Sequence, residues 1–268
     1  MRQTQCPAAV HFGLPPCALP AILLPVTPPA IGQAQPLPLY IQISELLTRQ
    51  IAAGHWQDGE RLPTEAELAP QLGVAVGTLR KALAELESRG MLARKQGSGT
   101  YVRTPREGRS IYEFFRLELK DGVGLPTAQV LSLQRVKHPA GVPRFGAEPA
   151  DGPAFCQRVR RLRYLDRVPV ALEEIWFDAR HAPSLKVDAL SESLYLYYRN
   201  ALGFWISRVE DHLGLGHVPD WAPPELGLAP GAPACCVARQ SWAQTGALEE
   251  YSRTWFNSER ARYAARWR

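Results

Sequence analysis

Two groups of cationic side chains set the chemistry this sequence can do. The first is Arg61, Arg80, Lys81, Arg94 and Lys95. They fall at a helix entry, in the first turn of an expected helix and on the arm of an expected hairpin. A basic stripe beside a helix N-terminus suits phosphate, because free backbone N–H groups and aligned peptide dipoles add to the side-chain charge. The second group lies in "RVRRLRYLDRVPVALEE", residues 158–174. In a strand, Arg161 and Arg163 share one face while Arg158 and Arg160 share the other. One face of such a sheet is expected to be solvated, and surface arginines account for Arg158 and Arg160. The other face must cover a core or a pocket, where a guanidinium needs an anionic partner. Glu173, on the strand after the "LDRVP" turn, can balance one of the pair. A carboxylate or phosphate ligand would satisfy the other through a bidentate contact.

The elements that carry the first group begin at "PLYIQISELLTRQIAAGHWQDGERLPTEAELAPQLGV". Tyr40, Ile43, Leu47 and Ile51 recur at helical spacing, and Gly54 stands where that helix would stop. Thr64 is an N-cap with Glu67 three residues on, which makes a capping box, and Leu68 and Leu72 form its apolar stripe. After a turn at Gly73, a third helix runs along Leu79, Leu83 and Leu86, with Arg80, Lys81, Glu85 and Arg89 pointing elsewhere. Two short helices joined by a tight glycine turn predict a helix-turn-helix. "MLARKQGSGTYV" then reads as a β-hairpin with its tip at Gln96–Gly99. Between Leu37 and Arg103 eight Lys/Arg oppose seven Asp/Glu, so placement and not net charge carries the argument.

The order and spacing of these motifs over residues 37–103 resemble the winged helix-turn-helix of the GntR family of bacterial transcription regulators. The resemblance implies that the third helix enters the major groove and that the wing tip at Gly97 approaches the minor groove. Arg61, Arg80 and Arg94 match the family's phosphate- or base-contacting positions. Many members begin the third helix with Ser-Arg or Ser-Pro followed by Thr; here the tip reads Ala75-Val76-Gly77, with Thr78 behind it. Loss of a serine N-cap costs about 1 kcal/mol of helix stability. In exchange Ala75 and Val76 can touch thymine methyl groups, and Gly77 permits close approach to phosphate. The alternative, Val76 packing against the wing, stays open. The expected DNA-facing set is Arg61, Thr64, Val76, Gly77, Thr78, Arg80, Lys81, Arg94, Lys95 and Gly97. The departure at the tip means that base specificity cannot be carried over from relatives.

"TPREGRS", residues 104–110, has a linker's composition. Beyond it, "AQVLSLQRV", "FCQRVRRLRYL", "VPVALEEIWF", "ACCVARQSWA" and "LEEYSRTWF" read as strands, and "SESLYLYYRNALG" has helical spacing with Ser191 as its cap. The expected class is α+β, an N-terminal winged helix-turn-helix followed by an antiparallel-sheet domain. The strand pattern with "ELGLAPGAP" and "ALEEYS" is similar to the UTRA effector-binding domain of the HutC subfamily. That likeness implies a chorismate-lyase-like fold over residues 111–262 that binds small metabolites, commonly anionic ones. It matches Arg161, Arg163, Glu173, Ser193, Tyr195 and Glu250, and less closely Ser110, to pocket-lining positions. Sugar-phosphate-binding relatives often carry a tyrosine six residues after the matching glutamate; here that residue is Phe256. The missing donor favours a small carboxylate over a sugar phosphate.

Residues 1–36 are dense in Pro and Ala. Prolines interrupt every apolar run, so no span reaches the ~20 residues of a membrane helix, and a secretory leader is disfavoured too. A disordered tail, or sequence upstream of the true start, is expected there. The chain has 268 residues, 46% hydrophobic and 21% charged, with net charge +5. That is an ordinary globular balance that permits an anionic partner. Five cysteines (Cys6, Cys17, Cys156, Cys235, Cys236) without CxxC spacing point to reduced thiols in the cytoplasm. Asp211, His212 and His217 in "VEDHLGLGH" are more simply packed or solvated groups than metal ligands. There is no phosphate loop, GxGxxG or nucleophile motif. Aminotransferase fusions of this family need a longer chain and a pyridoxal lysine, and Lys120, Lys137 and Lys186 have no matching context. The expectation is therefore a homodimeric, operator-binding repressor controlled by a small anionic metabolite. It has no cofactor, no metal and no membrane partner. A chorismate-lyase-like enzyme with an accessory DNA-binding domain is the alternative.

Overall fold

The computed structural model describes residues 36–103, 114–146 and 154–266. Ser110, the expected linker 104–110, and all but Pro36 of the 1–36 tail lie outside them.

Helix α1, Leu39–Ala52, buries Ile43, Leu47 and Ile51, while Tyr40 packs at the margin, as the helical spacing requires. It stops where Gly54 takes a positive φ of 87°. Helix α2, Glu65–Gln71, opens with the expected capping box of Thr64 and Glu67, and the turn at Gly73 (φ 64°) leads into α3, Val76–Ser88. The three helices close over Leu47, Leu79 and Leu86, none of which is exposed to solvent. Strands β1, Leu92–Lys95, and β2, Gly99–Val102, pair antiparallel with Leu92 opposite Val102 and Lys95 opposite Gly99, forming the wing.

A short strand β3, Leu117–Leu119, precedes the long strands β4, Pro126–Lys137, β5, Phe155–Leu165, and β6, Val168–Asp178. After α4, Leu194–Tyr197, and a π-helical turn, Tyr198–Leu202, come β7, Ile206–His217, β8, Pro233–Ala243, β9, Leu248–Phe256, and β10, Ala261–Tyr263. Six strands form one antiparallel sheet in the order β4-β5-β6-β9-β8-β7, and β3 pairs with β10 in a second small sheet. The five expected strands are all present. The strand at 206–217 and the two short ones escape a periodicity reading, the first because glycine and charge break its alternation.

Two expectations need correction. The cap of α4 is Ser193, whose hydroxyl accepts the Leu196 N–H; Ser191 instead accepts the Ser193 N–H. Nor is one face of the sheet solvated at its centre. From Val170 to Asp178 every residue of β6 is buried, so both faces are covered there, while the edge strand β7 is largely exposed. One face packs on α4, the π turn, β3 and β10; the other lies under segments near 142–145 and 218–234. Arg158 and Arg160, expected at the surface, sit on that second face. They flank Glu174 at 3.9 and 2.8 Å, and the Arg160 guanidinium lies 4.8 Å from the centre of the Trp221 ring.

Candidate DNA interface and effector cavity

The start of α3 presents the odd tip directly. Ala75, the N-cap, has an extended backbone and no side-chain capping bond. Val76 is 40% exposed. A Cβ placed on Gly77 would meet nothing within 4 Å, which leaves the backbone open to approach. Thr78 is half-buried behind the tip, and Lys81 is exposed.

Arg80 and Arg94 come from different elements yet meet on one carboxylate. Arg80 donates from Nε (3.0 Å) and Nη2 (2.7 Å) to one oxygen of Glu65, and Arg94 donates from Nη2 (3.0 Å) to the other. The Arg80 hydrogen bond, with the charges of both arginines, holds the Glu65 carboxyl below its ordinary value. Glu65 thus draws the two cations together on the face that α3 and the wing share. Arg61 lies against the second wing strand, where its backbone bridges to Tyr101 and its guanidinium lies over Gly99. A Cβ on Gly99 would come within 2.6 Å of Arg61 Nε, and φ there is +122°, so only glycine fits. The Lys95 ammonium stands 4.5 Å over the Tyr101 ring, whose hydroxyl meets Ser98 at 2.6 Å. Gly97 sits exposed at the wing tip with φ 72°. Thr64 lies at the edge, its hydroxyl engaged with Glu67 in the cap.

A second site lies over the opposite end of the chain, on the sheet face that carries α4. The cavity is lined by the 114–117 segment, β5, β6, β8, β9 and the 192–195 turn, and it holds about 80 Å³ of free space. Cross-strand register sets Arg161 opposite Glu173. Both nitrogens of the fork, Nε and Nη2, donate to one Glu173 oxygen at 3.0 and 2.7 Å. Arg163, 2% exposed, places Nε 3.7 Å from the other oxygen. The Nη1 groups of Arg161 and Arg163 both donate to the Glu192 carbonyl, at 3.1 and 3.2 Å. Burial pushes the Glu173 carboxyl up, but the two arginines outweigh it and hold the group below its usual range.

Glu250 has a different environment. It accepts from Tyr198 (2.7 Å), Ser241 (3.2 Å) and Tyr195 (3.3 Å), all neutral donors, and burial raises its carboxyl above the ordinary value. Ser193 lines the cavity as the cap of α4. The lining therefore sets four arginines, Arg116, Arg161, Arg163 and Arg239, against three carboxylates: Glu173, held below its ordinary value, and Glu192 and Glu250, both raised by burial. Its surplus is positive, which suits an anion.

Comparison with known proteins decides the family. The sequence pattern of the bacterial regulatory proteins of the gntR family matches residues 39–102, and that of the UTRA domain matches residues 123–262. The HTH-type transcriptional regulator SmoD of Agrobacterium fabrum is 50% identical over 230 residues, 86% of this chain and 96% of that protein. The chain belongs to the GntR family of transcriptional regulators, with a UTRA domain. Among its other relatives, the mannosyl-D-glycerate transport/metabolism system repressor MngR of Escherichia coli is 31% identical, covering 83% of this chain and 92% of its own length. The repressor NagR of Bacillus subtilis is 27% identical, covering 86% and 95%. The ligand-binding domain of a GntR-family regulator from Bordetella bronchiseptica shares the fold, with a TM-score of 0.51 at 21% identity over 59% of this chain and 99% of that one. DNA-binding regulation, not catalysis, is the activity of this family, and the lyase alternative finds no support.

As a GntR-family cavity, the site includes residues that spacing did not single out. Arg239 is clamped by Asp211 through two 2.6 Å bonds, and Tyr263 also donates to Asp211. Alternation along β8 could have found Arg239, which shares its face with Ser241. Asp211 could not be found that way, because β7 itself went unread. Asp211 and His212 point to opposite faces of β7, and no metal cluster occurs among the described residues. Phe256 does not line the cavity. It packs with Leu165, Val170 and Val237, so its lack of a hydroxyl says nothing about the ligand. Hydroxyls come instead from Ser252, Thr254 and Tyr195.

Proposed function

We propose that the chain is a cytoplasmic, homodimeric repressor whose grip on its operator is controlled by a hydroxylated organic anion, a carboxylate in the first instance. The observation that carries this reading is the cationic surplus of a cavity bordered by serine, threonine and tyrosine hydroxyls. Arg161 and Arg163 stand ready to take a carboxylate or phosphate at the Glu173 end. Mannosyl-D-glycerate, which MngR's name ties to its transport and metabolism system, carries one carboxylate among hydroxyls. On the DNA side, Arg61, Arg80, Lys81, Arg94 and Lys95 supply phosphate and base contacts, Thr78 and Gly97 border them, and Val76 with Gly77 supplies apolar contact at the helix tip.

The dimer follows from operator geometry, because two winged domains reading half-sites need two-fold pairing. The edge of the sheet at β7 supports it: Leu213 and Leu215 are 57% and 85% exposed there, on a strand that pairs with β8 alone among the described residues.

The test uses DNA from immediately upstream of the protein's own reading frame, with binding followed by fluorescence anisotropy. A panel of hydroxy-carboxylates and sugar phosphates is screened for release, and calorimetry compares wild type with Arg161→Ala and Arg163→Ala. Release by a member of the panel, with affinity lost in both variants, supports the assignment. Unchanged affinity in both would move the ligand away from these arginines.

A further inference from the structure

Arg49 lies on α1 of the DNA-binding domain, yet its guanidinium is spent on the other domain. It is only 8% exposed. Nη1 donates to the Phe115 carbonyl at 3.2 Å, and Nη2 donates to the carbonyls of Leu117 (2.6 Å) and Val123 (2.9 Å). Three charge-assisted bonds from one side chain make a rigid seat, because a planar fork that satisfies three fixed acceptors has no freedom left to rotate. The acceptors bracket β3, and Phe115 and Leu117 also line the cavity.

The ring of Phe115 adds a second observation. The Arg49 guanidinium stands 5.1 Å from its centre, and the Arg163 guanidinium stands 4.7 Å from the same centre. One aromatic ring thus touches a cation of the DNA-binding domain and a cation of the cavity. The same cavity arginines are tied to the start of α1 as well. Glu192, whose carbonyl accepts from Arg161 and Arg163, receives a long 3.5 Å contact from the Leu37 N–H on its side chain. Both ends of α1 are therefore fastened to residues that hold Arg163.

We propose that Arg49 is the positioning residue through which cavity occupancy reaches the DNA-binding domain, by way of the Arg163–Phe115–Arg49 stack. This rests on the cavity being the effector site. An anion that engages Arg163 competes with the Phe115 ring for its guanidinium. Phe115 then loses one of its two cations, and the carbonyls that seat Arg49 shift with the 115–117 backbone. Both domains bias one two-state contact, which is the physical content that coupling between sites requires.

The test needs neither operator nor effector. Hydrogen–deuterium exchange is followed by mass spectrometry on the full chain as wild type, Arg163→Lys, Phe115→Leu and the double variant. Arg163→Lys, changed within the cavity, is expected to raise exchange several-fold in peptides from Leu39–Ala52. In the Phe115→Leu background the same change is expected to add nothing there. A merely structural Arg163 would confine the effect to β5 and its neighbours β4 and β6, leaving α1 at wild-type exchange, and that result overturns the proposal. Should Arg163→Lys fail to fold, Arg49→Lys probes the stack from its other end. Faster exchange around 161–165 and 192 supports the relay, and wild-type exchange there overturns it. Failure of the wild type to bind DNA would strike the repressor reading and leave the exchange result intact.

Discussion

At the scale of single residues, Glu65 holds Arg80 and Arg94 on one carboxylate, and under the proposed docking both exchange that partner for phosphate or base. Arg80→Ala is expected to weaken operator binding by roughly 1–3 kcal/mol, and Lys95→Ala to lower affinity on every sequence and reduce the salt slope by about one. Anisotropy titrations across a salt series measure both; an Arg80→Ala variant that is folded and binds as tightly as the parent would remove α3 from the groove. A second residue-scale expectation concerns pH. His181 donates from Nε2 to the Glu249 carboxylate at 2.7 Å, and this hydrogen bond raises its pKa above the ordinary 6.5 despite the opposing effect of burial. A group with a raised folded pKa gives stability that is fully present below 6.5 and is lost as pH rises through the folded value. The melting temperature should therefore fall across that window, and His181→Gln should flatten the fall.

At the scale of elements, α3 begins without a cap. Ala75 occupies the N-cap position with the extended backbone that a serine there would share, and it makes no side-chain bond. Ala75→Ser should stabilise the DNA-binding domain by about 1 kcal/mol, read from chemical denaturation. If the apolar tip reads thymine methyls, the same variant should lose affinity for the operator while gaining stability. A gain in both would show that the tip does not touch bases.

At the scale of the whole molecule, the proposed dimer is tested at the β7 edge, where Leu213 and Leu215 are exposed. Sedimentation equilibrium is expected to give twice the 29.8 kDa chain mass. Leu215→Glu, which places a charge on the most exposed leucine of that edge, should shift the protein to monomer and with it weaken operator binding. A variant that stays dimeric would move the interface to another face.

Local rules carried much of this protein. The capping box at Thr64, the glycine turn at 73, the wing and the five strands follow from spacing and chain stereochemistry within a few residues. Alternation alone put Arg161 and Arg163 on one face, with Glu173 on the neighbouring strand. What alternation cannot say is what lies above a face. Arg158 and Arg160 are half-buried because segments near 142–145 and 218–234 fold over them, and Phe256 is a core residue because β3 and β10 close its end of the sheet. Arg239 enters the cavity, and Asp211 reaches it, only once β7 pairs with β8. Arg49 has no local signature at all: it is one more cation on an amphipathic helix until another domain brings three carbonyls to it. Contacts between residues far apart in the chain depend on how whole elements pack, and that is decided by the tertiary structure alone.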